Sequence, residues 1–119
     1  MIARDNGKFG EDKAADFLKK NGYSVIERNF RCRMGEIDII AETDEYLVFV
    51  EVKTRKNDSF GQAREYVTFS KQQKIKKTAL MYLTYHDSDK QPRFDVIEVY
   101  IPEGFFGKVT INHLENAFM

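Results

Sequence analysis

Three ionisable residues interrupt two neighbouring apolar segments in the first half of the chain. Asp38 lies within residues 37–41, and Glu51 and Lys53 lie at the end of the apolar run 47–52 and just beyond it. Both segments have the composition of short β-strands, and the polar stretch that joins them predicts a turn. Because residues two apart on a strand share a face, Glu51 and Lys53 should project together, and a hairpin would bring Asp38 near Glu51. Buried charges are costly unless they are paired or bound to a metal, so these residues predict a site at one end of a sheet.

Two carboxylates and an ammonium are groups that metal-dependent hydrolysis of a phosphodiester can use. Mg²⁺ prefers oxygen ligands and usually takes one or two protein carboxylates, for which Asp38 and Glu51 are candidates. The backbone carbonyl of Val52 is a candidate third ligand. Lys53 is placed to orient or deprotonate the attacking water and to stabilise charge on the phosphate. The alternative is a solvated ion pair, because exposed strands often carry Glu and Lys at alternate positions.

The remaining segments predict the elements that position these residues. Helices are expected over residues 7–21 and 70–84, the second with a capping box formed by Ser70 and Gln73. Strands are expected over 23–30, 37–41, 47–52 and 93–101, followed by a short edge strand at 108–111 and a last helical turn from Asn112 through Phe118. The order α-β-β-β-α-β predicts an α/β fold, with one domain over residues 1–119. Residues 56–67 predict an irregular connection, either a flap over the site or a chain reversal.

Glu11 breaks the apolar pattern of the first predicted helix. It shares helical spacing with Ala15 and Leu18, so a carboxylate falls on the inner stripe. One interpretation takes Glu11 to the site as an outer metal ligand or through water. The other leaves it as a partly exposed acid in the first turn, where the helix dipole favours it.

Composition limits the classes of protein that the chain can represent. The formal net charge is +0, which argues against holding nucleic acid by bulk positive charge but permits a local basic groove. The single cysteine, Cys32, excludes an internal disulfide and favours a reducing compartment. A charged N-terminus and the lack of an apolar run near about 20 residues predict a cytoplasmic protein with no membrane span. His86 and His113 stand alone, which argues against a zinc site.

The motifs around the charged residues resemble a known family. Asp38 followed by Glu51-Val52-Lys53 resembles the D…(D/E)xK core of restriction-endonuclease-like nucleases. The fuller pattern resembles the YraN family of small bacterial proteins, which is grouped with nucleases similar to archaeal Holliday-junction resolvases. This pattern comprises Gly7-x-x-Gly10-Glu11, Gly22-Tyr23, Arg28-Asn29-Phe30-Arg31, the segments 35–41 and 48–55, and Arg93-Phe94-Asp95-Val96.

The resemblance implies a restriction-endonuclease-like fold, with a central mixed β-sheet flanked by helices and the site at one open end. It implies that Asp38 and Glu51 bind Mg²⁺, with Mn²⁺ as a substitute, and that Lys53 is the catalytic lysine. Glu11 corresponds to the glutamate that the family carries in its first helix. The resemblance implies that Glu11 is both a catalytic residue and a metal ligand. Glu36 is a rival to Asp38, since it lies two residues away on the same strand.

The expected partner is nucleic acid, most simply DNA, recognised through its backbone and shape. Arg33, Arg55 and Lys71 lie closest in sequence to the site and are candidates for phosphate contact. Gln72 resembles a glutamine that related nucleases place near the site, although Lys71 or Gln73 could be aligned there instead. Junction-resolving relatives act as dimers, so a homodimer is a further expectation. The alternatives are a non-catalytic nucleic-acid-binding module that keeps the fold and a protein-interaction adaptor.

Overall fold

The described part of the chain forms a five-stranded mixed sheet with a helix on each face. The computed structural model describes residues 6–56, 67–102 and 108–119, without the side chains of Asn6 and Lys56. The elements are α1 (Asn6–Lys20), β1 (Ser24–Cys32), β2 (Gly35–Glu42), β3 (Tyr46–Lys56), α2 (Phe69–Tyr85), β4 (Gln91–Ile101) and β5 (Thr110–Phe118). The strands lie in the order β1-β2-β3-β4-β5. Neighbouring strands are antiparallel except β3 and β4, which are parallel and joined through α2.

The mixed α/β architecture predicted from the sequence is confirmed, but the helical turn predicted for the last residues of the chain is wrong. A last helical turn through Phe118 was expected, but this segment is strand β5, in which Asn112 pairs with Glu98 of β4. Asn116 adopts a positive φ of 52° within the strand. The predicted capping box is also wrong, because Thr68 is the N-cap of α2 and accepts from the Lys71 N–H. Most of the irregular connection expected over 56–67 lies outside the described residues.

Each face of the sheet buries its own apolar cluster beneath one helix. The two clusters together place apolar side chains on both faces of the central strands, as expected for a sheet covered on both sides. The cluster under α1 contains Ala14, Ala15, Leu18, Ile39, Ala41, Val48, Val50, Ile97 and Val99. The cluster under α2 contains Ile37, Ile40, Leu47, Phe49, Val67, Ile75, Ala79, Tyr82, Val96 and Phe118. Among the described helices, neither is long and apolar enough to cross a membrane.

A buried polar network fastens β5 to β4. The fully buried Asp95 accepts two hydrogen bonds from the Arg93 guanidinium, at 2.9 and 2.7 Å, and one from the Asn116 backbone N–H at 2.9 Å. His113 Nε2 lies 2.7 Å from the same carboxylate, and Arg93 also donates to the Tyr23 hydroxyl. Burial raises the pKa of Asp95, but the hydrogen bonds from His113 and Arg93 outweigh burial and hold it below its usual value. This network lies on β4 before the strand reaches the level of the predicted site, so it serves the fold.

Candidate functional site

Asp38 lies where the pairing between β2 and β3 stops. Their register runs from Glu42 opposite Leu47 to Ile39 opposite Val50. The next pair in this register would be Asp38 and Glu51. Instead of continuing the ladder, the Asp38 carboxylate accepts the backbone N–H of Val52 at 2.8 Å. The structure therefore brings Asp38 beside the strand that carries Glu51, as the hairpin argument predicted.

A change of face in β1 and β2 turns Asp38 toward β3. On β1, Arg28 reaches Asp12 of α1 at 2.7 Å, whereas Phe30 packs on Tyr82 of α2 with the ring centroids 5.2 Å apart. Residues two apart on a regular strand share a face, so the strand must twist sharply between them. Asn29, with a positive φ of 55°, lies at that point. Asn, unlike most residues, adopts this conformation at little cost.

The same change of face occurs on β2, where Ile37 belongs to the cluster under α2 and Ile39 to the cluster under α1. Arg28 pairs with Ile39 and Phe30 with Ile37, so Asn29 and Asp38 lie opposite each other at the twist. Asp38 therefore lies at the point where β2 changes face, and its carboxylate accepts the Val52 N–H of β3 there.

Glu51 is the centre of an ion-pair cluster on the α2 face of β3. Its Oε2 atom lies 3.5 Å from Lys53 Nζ and 2.5 Å from Lys71 Nζ. The contact with Lys53 agrees with the prediction that Glu51 and Lys53 project together. The side chain of Glu51 is only 9% exposed, compared with 18% for Lys53 and 43% for Lys71. The Glu51 carboxylate is therefore largely shielded from water and neutralised by two ammonium groups.

The carboxyl of Asp38 has a strongly perturbed acidity. Burial and the negative charge of Glu51 raise the pKa of Asp38 to about 7, against the opposing hydrogen bond from Val52. The charges of Glu11 and Glu36 add smaller contributions in the same direction. Two carboxylates that repel each other in a partly dry site are typical of catalytic and metal-binding centres.

The two lysines respond to this environment in opposite directions. Burial and the neighbouring ammonium of Lys71 lower the pKa of Lys53, although Glu51 opposes the change. Burial also disfavours charge on Lys71, but its hydrogen bond to Glu51, the contact with Lys53 and the negative charges of Glu51 and Asp38 together outweigh burial and raise the pKa of Lys71. Lys53 is thus the ammonium that gives up its proton more readily, which suits a residue that assists proton transfer.

Glu11 approaches the site from α1 without joining the cluster on Glu51. Its charge contributes to the raised pKa of Asp38, but its ion-pair partner is Arg28, at 3.9 Å and with 20% of the Glu11 side chain exposed. A Cβ on the preceding Gly10 would collide with the Thr54 hydroxyl of β3. Gly10 therefore permits the close approach of α1 and β3 that brings Glu11 to this end of the sheet.

The candidates for phosphate contact fall in different places. Arg33 lies exposed in the turn that joins β1 and β2. Arg55 follows Lys53 on β3 and is partly buried. Lys71 contacts Glu51 directly, whereas the Gln72 side chain donates to the backbone carbonyl of Val67 at 2.9 Å. Lys71 therefore belongs to the candidate site through its contact with Glu51.

Sequence reasoning missed a buried carboxylate that borders the site. Glu98 of β4 lies beside Lys53 in the parallel register and is fully buried. Its two carboxylate oxygens accept from the Tyr100 hydroxyl and the Asn112 amide, each at 2.7 Å. The available signal was a glutamate within the apolar run 96–101, and its partner Asn112 was hidden because β5 was predicted incorrectly.

The donor set fits a cation that keeps most of its water ligands. Among the described residues, no three Asp, Glu, His or Cys side chains are grouped closely enough to hold a metal ion. Asp38 and Glu51 therefore provide two carboxylates without a third, which is within the range that Mg²⁺ uses in proteins. A divalent cation between them would relieve the repulsion that raises the pKa of Asp38.

Comparison with known proteins gives a consistent result over nearly the whole chain. The family model described as "Uncharacterised protein family UPF0102" matches residues 10–99. The chain belongs to the UPF0102 family. It is 51% identical over 120 residues to a UPF0102 protein of Caldicellulosiruptor bescii, covering 99% of this chain and 100% of that protein. It is 48% identical to the UPF0102 protein TTE1452 of Caldanaerobacter subterraneus, over 94% of this chain and 93% of that protein. The resemblance to the YraN family, which bears the same designation, is thereby confirmed.

The UPF0102 match includes every residue of the candidate site. Glu11, Asp38, Glu51, Lys53 and Lys71 all lie within residues 10–99. Strand β5, which supplies Asn112 to Glu98, lies beyond the matched range. The UPF0102 designation itself names no activity, so the function is argued from the geometry of the site.

Proposed function

We propose that this UPF0102 protein is a Mg²⁺-dependent nuclease that hydrolyses DNA phosphodiester bonds. The observation that carries the proposal is the meeting of Asp38, Glu51 and Lys53 where the β2–β3 ladder ends. Two carboxylates with a raised pKa on one of them, next to a lysine with a lowered pKa, form the combination expected of a hydrolytic centre.

The architecture supports assignment to the restriction-endonuclease-like fold. An antiparallel β2–β3 pair carries the acidic residues, β3 continues into a parallel pair with β4, and helices cover both faces. The open end of the sheet is where the resemblance to the D…(D/E)xK nucleases would place the active site. Fold alone does not establish an activity, so the argument depends on the side chains.

Each side chain has a defined task in the proposed reaction. Asp38 and Glu51 would hold Mg²⁺, which supplies positive charge to the phosphate oxygens and lowers the pKa of a bound water. Lys53 would orient the attacking water, accept or share its proton, and stabilise the negative charge that develops on the phosphate. Glu11 would approach the metal ion from the α1 side, either as an outer ligand or through a water molecule.

The substrate class follows from the charges that surround the site. Lys71 at the site and Arg33 in the β1–β2 turn offer contacts to phosphate groups rather than to base edges. Recognition would then depend on the shape of DNA, and branched or repair intermediates are the favoured substrates. Two symmetric cuts in a four-way junction would require two copies of the chain, which makes a homodimer part of this proposal.

A non-catalytic nucleic-acid-binding module is the second candidate function. The observation in its favour is that Glu51 already has two ammonium partners, so this carboxylate is neutralised without a metal ion. Such a module would bind DNA with the salt dependence of phosphate contacts but would leave the strand intact.

A cleavage panel distinguishes the two candidates. End-labelled linear, nicked, flapped and four-way DNA would be incubated with the protein in Mg²⁺ or Mn²⁺, alongside Asp38→Ala and Lys53→Ala. The nuclease proposal expects cleavage of at least one substrate by the native protein and none by either variant, with binding retained by Asp38→Ala. Equal binding by the native protein and Asp38→Ala, without cleavage by either, would favour the binding module.

A further inference from the structure

One oxygen atom of Glu51 has two ammonium neighbours that differ in their freedom to move. Lys53 extends from β3, the central strand of the sheet, and its side chain is 18% exposed. Its backbone is held beside Glu98 in the parallel pairing of β3 and β4. Lys71 extends from the first turn of α2, three residues after the N-cap Thr68, and is 43% exposed. Its four-carbon side chain can move its charge into solvent without disturbing the backbone.

A divalent cation bound to Glu51 Oε2 would compete with the two ammonium groups that already lie at this atom. Mg²⁺ lies about 2.1 Å from its oxygen ligands, so at Oε2 it would occupy nearly the same position as the Lys71 ammonium, which lies 2.5 Å from that atom. A double positive charge so close to both ammonium groups would repel them strongly, because the carboxylate is shielded from water. Lys71 is the neighbour that can leave, since it is the more exposed and is held at a helix end.

We propose that Lys71 is a built-in counterion of Glu51 that leaves the carboxylate when a divalent cation binds there. This inference rests on the proposed function, because it concerns the same metal site. In the metal-free protein the ammonium of Lys71 pairs closely with the largely buried carboxylate of Glu51 and supplements the more distant contact from Lys53. Once released, the same ammonium is free at the edge of the site and becomes available to a phosphate oxygen.

Competition of this kind has a measurable consequence for metal affinity. Every metal ion that binds must first separate Lys71 from Glu51, so the ion pair weakens metal binding. Removing the ammonium while keeping the apolar part of the side chain should therefore tighten binding. Coupling energies between sites usually correspond to about 5- to 150-fold, and we expect a gain of about tenfold.

The test is a titration of Mn²⁺, followed by electron paramagnetic resonance of the free ion at pH 8, on the full chain. The variants are Lys71→Met, Glu51→Gln and the matched control Lys77→Met, which removes an exposed lysine from the same helix. Lys71→Met should bind Mn²⁺ about tenfold more tightly than the native protein, and Lys77→Met should differ by less than about twofold because its charge is screened. Glu51→Gln should lose most of the affinity.

A second measurement on the native protein does not depend on any variant folding. Amine-reactive labelling followed by mass spectrometry should show that Mn²⁺ increases the modification of Lys71 and leaves that of Lys77 unchanged. If Glu51→Gln loses Mn²⁺ but Lys71→Met and the labelling show no change, the role of Lys71 is refuted and the metal site stands. If the native protein does not bind Mn²⁺, or if Glu51→Gln binds Mn²⁺ as tightly as the native protein, the metal site and this inference both fail.

Discussion

Replacing Asp38 by Asn should make the metal-free protein more stable at alkaline pH. In the folded chain, burial and the charge of Glu51 raise the pKa of Asp38 from 3.8 to about 7. Between about pH 4 and pH 7 the folded state therefore holds a proton that the unfolded state has released, and the free energy of unfolding falls as pH rises through this window. The ionised carboxylate is a destabilising group that Asn removes.

The size of the effect follows from the shift. Each unit of pKa corresponds to about 1.36 kcal/mol, so a shift from 3.8 to about 7 sets an upper limit of about 4 kcal/mol. Because Asp38 and Glu51 titrate as an interacting pair, part of this energy is shared between them, and we expect a gain of about 2 to 4 kcal/mol at pH 8. For a chain of 119 residues this corresponds to a rise in Tm of about 10 °C. The Asn amide oxygen can still accept the Val52 N–H, so the backbone contact is retained.

The assay is urea unfolding of the native protein and Asp38→Asn at pH 4.5 and pH 8, with EDTA present. Asp44→Asn is the matched control, because Asp44 is exposed in the turn between β2 and β3. The gain should be large at pH 8, small at pH 4.5 and absent in the control. Equal or lower stability of Asp38→Asn at pH 8 would refute the claim that Asp38 carries an electrostatically strained charge.

Other predictions concern the fold and the catalytic lysine. Gly10→Ala should lower the free energy of unfolding by about 1 to 3 kcal/mol in chemical denaturation, because its Cβ collides with Thr54, whereas Gly7→Ala meets no atom within 4 Å and should raise it slightly. Equal stability of Gly10→Ala and Gly7→Ala would contradict the close packing of α1. Asp95→Asn should cost about 3 to 5 kcal/mol, measured in the same way, because it leaves a buried guanidinium without its charged partner; a cost below about 1 kcal/mol would show that the network is not needed. Lys53→Met should retain DNA binding measured by fluorescence anisotropy and lose cleavage, and an unchanged cleavage rate would remove Lys53 from the mechanism.

The sequence was most informative where a periodic pattern met a charged residue. Alternation along β3 was enough to place Glu51 and Lys53 on one face, and their 3.5 Å contact agrees with it. Helical spacing was enough to place Glu11 near the inner face of α1, where its charge influences Asp38. These predictions are local, since they depend on residues close in sequence and on one regular element.

The features that escaped prediction depend on contacts between distant elements. Lys71 reaches Glu51 because α2 packs closely on β2, where a Cβ on Gly35 would lie only 3.0 Å from the Thr78 hydroxyl oxygen. Gly35 also has a φ of 148°, so it combines an unusual backbone conformation with this close approach. The spacing of residues in α2 contains no information about this docking, so Lys71 could be proposed for phosphate contact but not as a partner of Glu51.

Most of strand β5 was missed for a different reason, since the edge strand expected at 108–111 overlaps only its first two residues. Residues 110–118 alternate weakly and contain two asparagines, which favour turns and helix caps over strands when considered locally. In the folded chain, Asn112 is held by Glu98 and the Asn116 N–H by Asp95, both on the neighbouring strand. Tertiary hydrogen bonds therefore override local preference, and they could be inferred only with β4 already in place.

A comparison of how the protein binds and how it cuts a four-way DNA junction tests the central claim most directly. The native protein and Asp38→Asn would be assayed on the same labelled junction, first for affinity without metal and then for strand scission with Mg²⁺ or Mn²⁺. The account predicts that both proteins bind the junction and that only the native protein cuts it, in a metal-dependent manner. Equal cutting by Asp38→Asn would contradict it, as would binding by the native protein without cutting of the junction or of linear, nicked or flapped DNA in either metal.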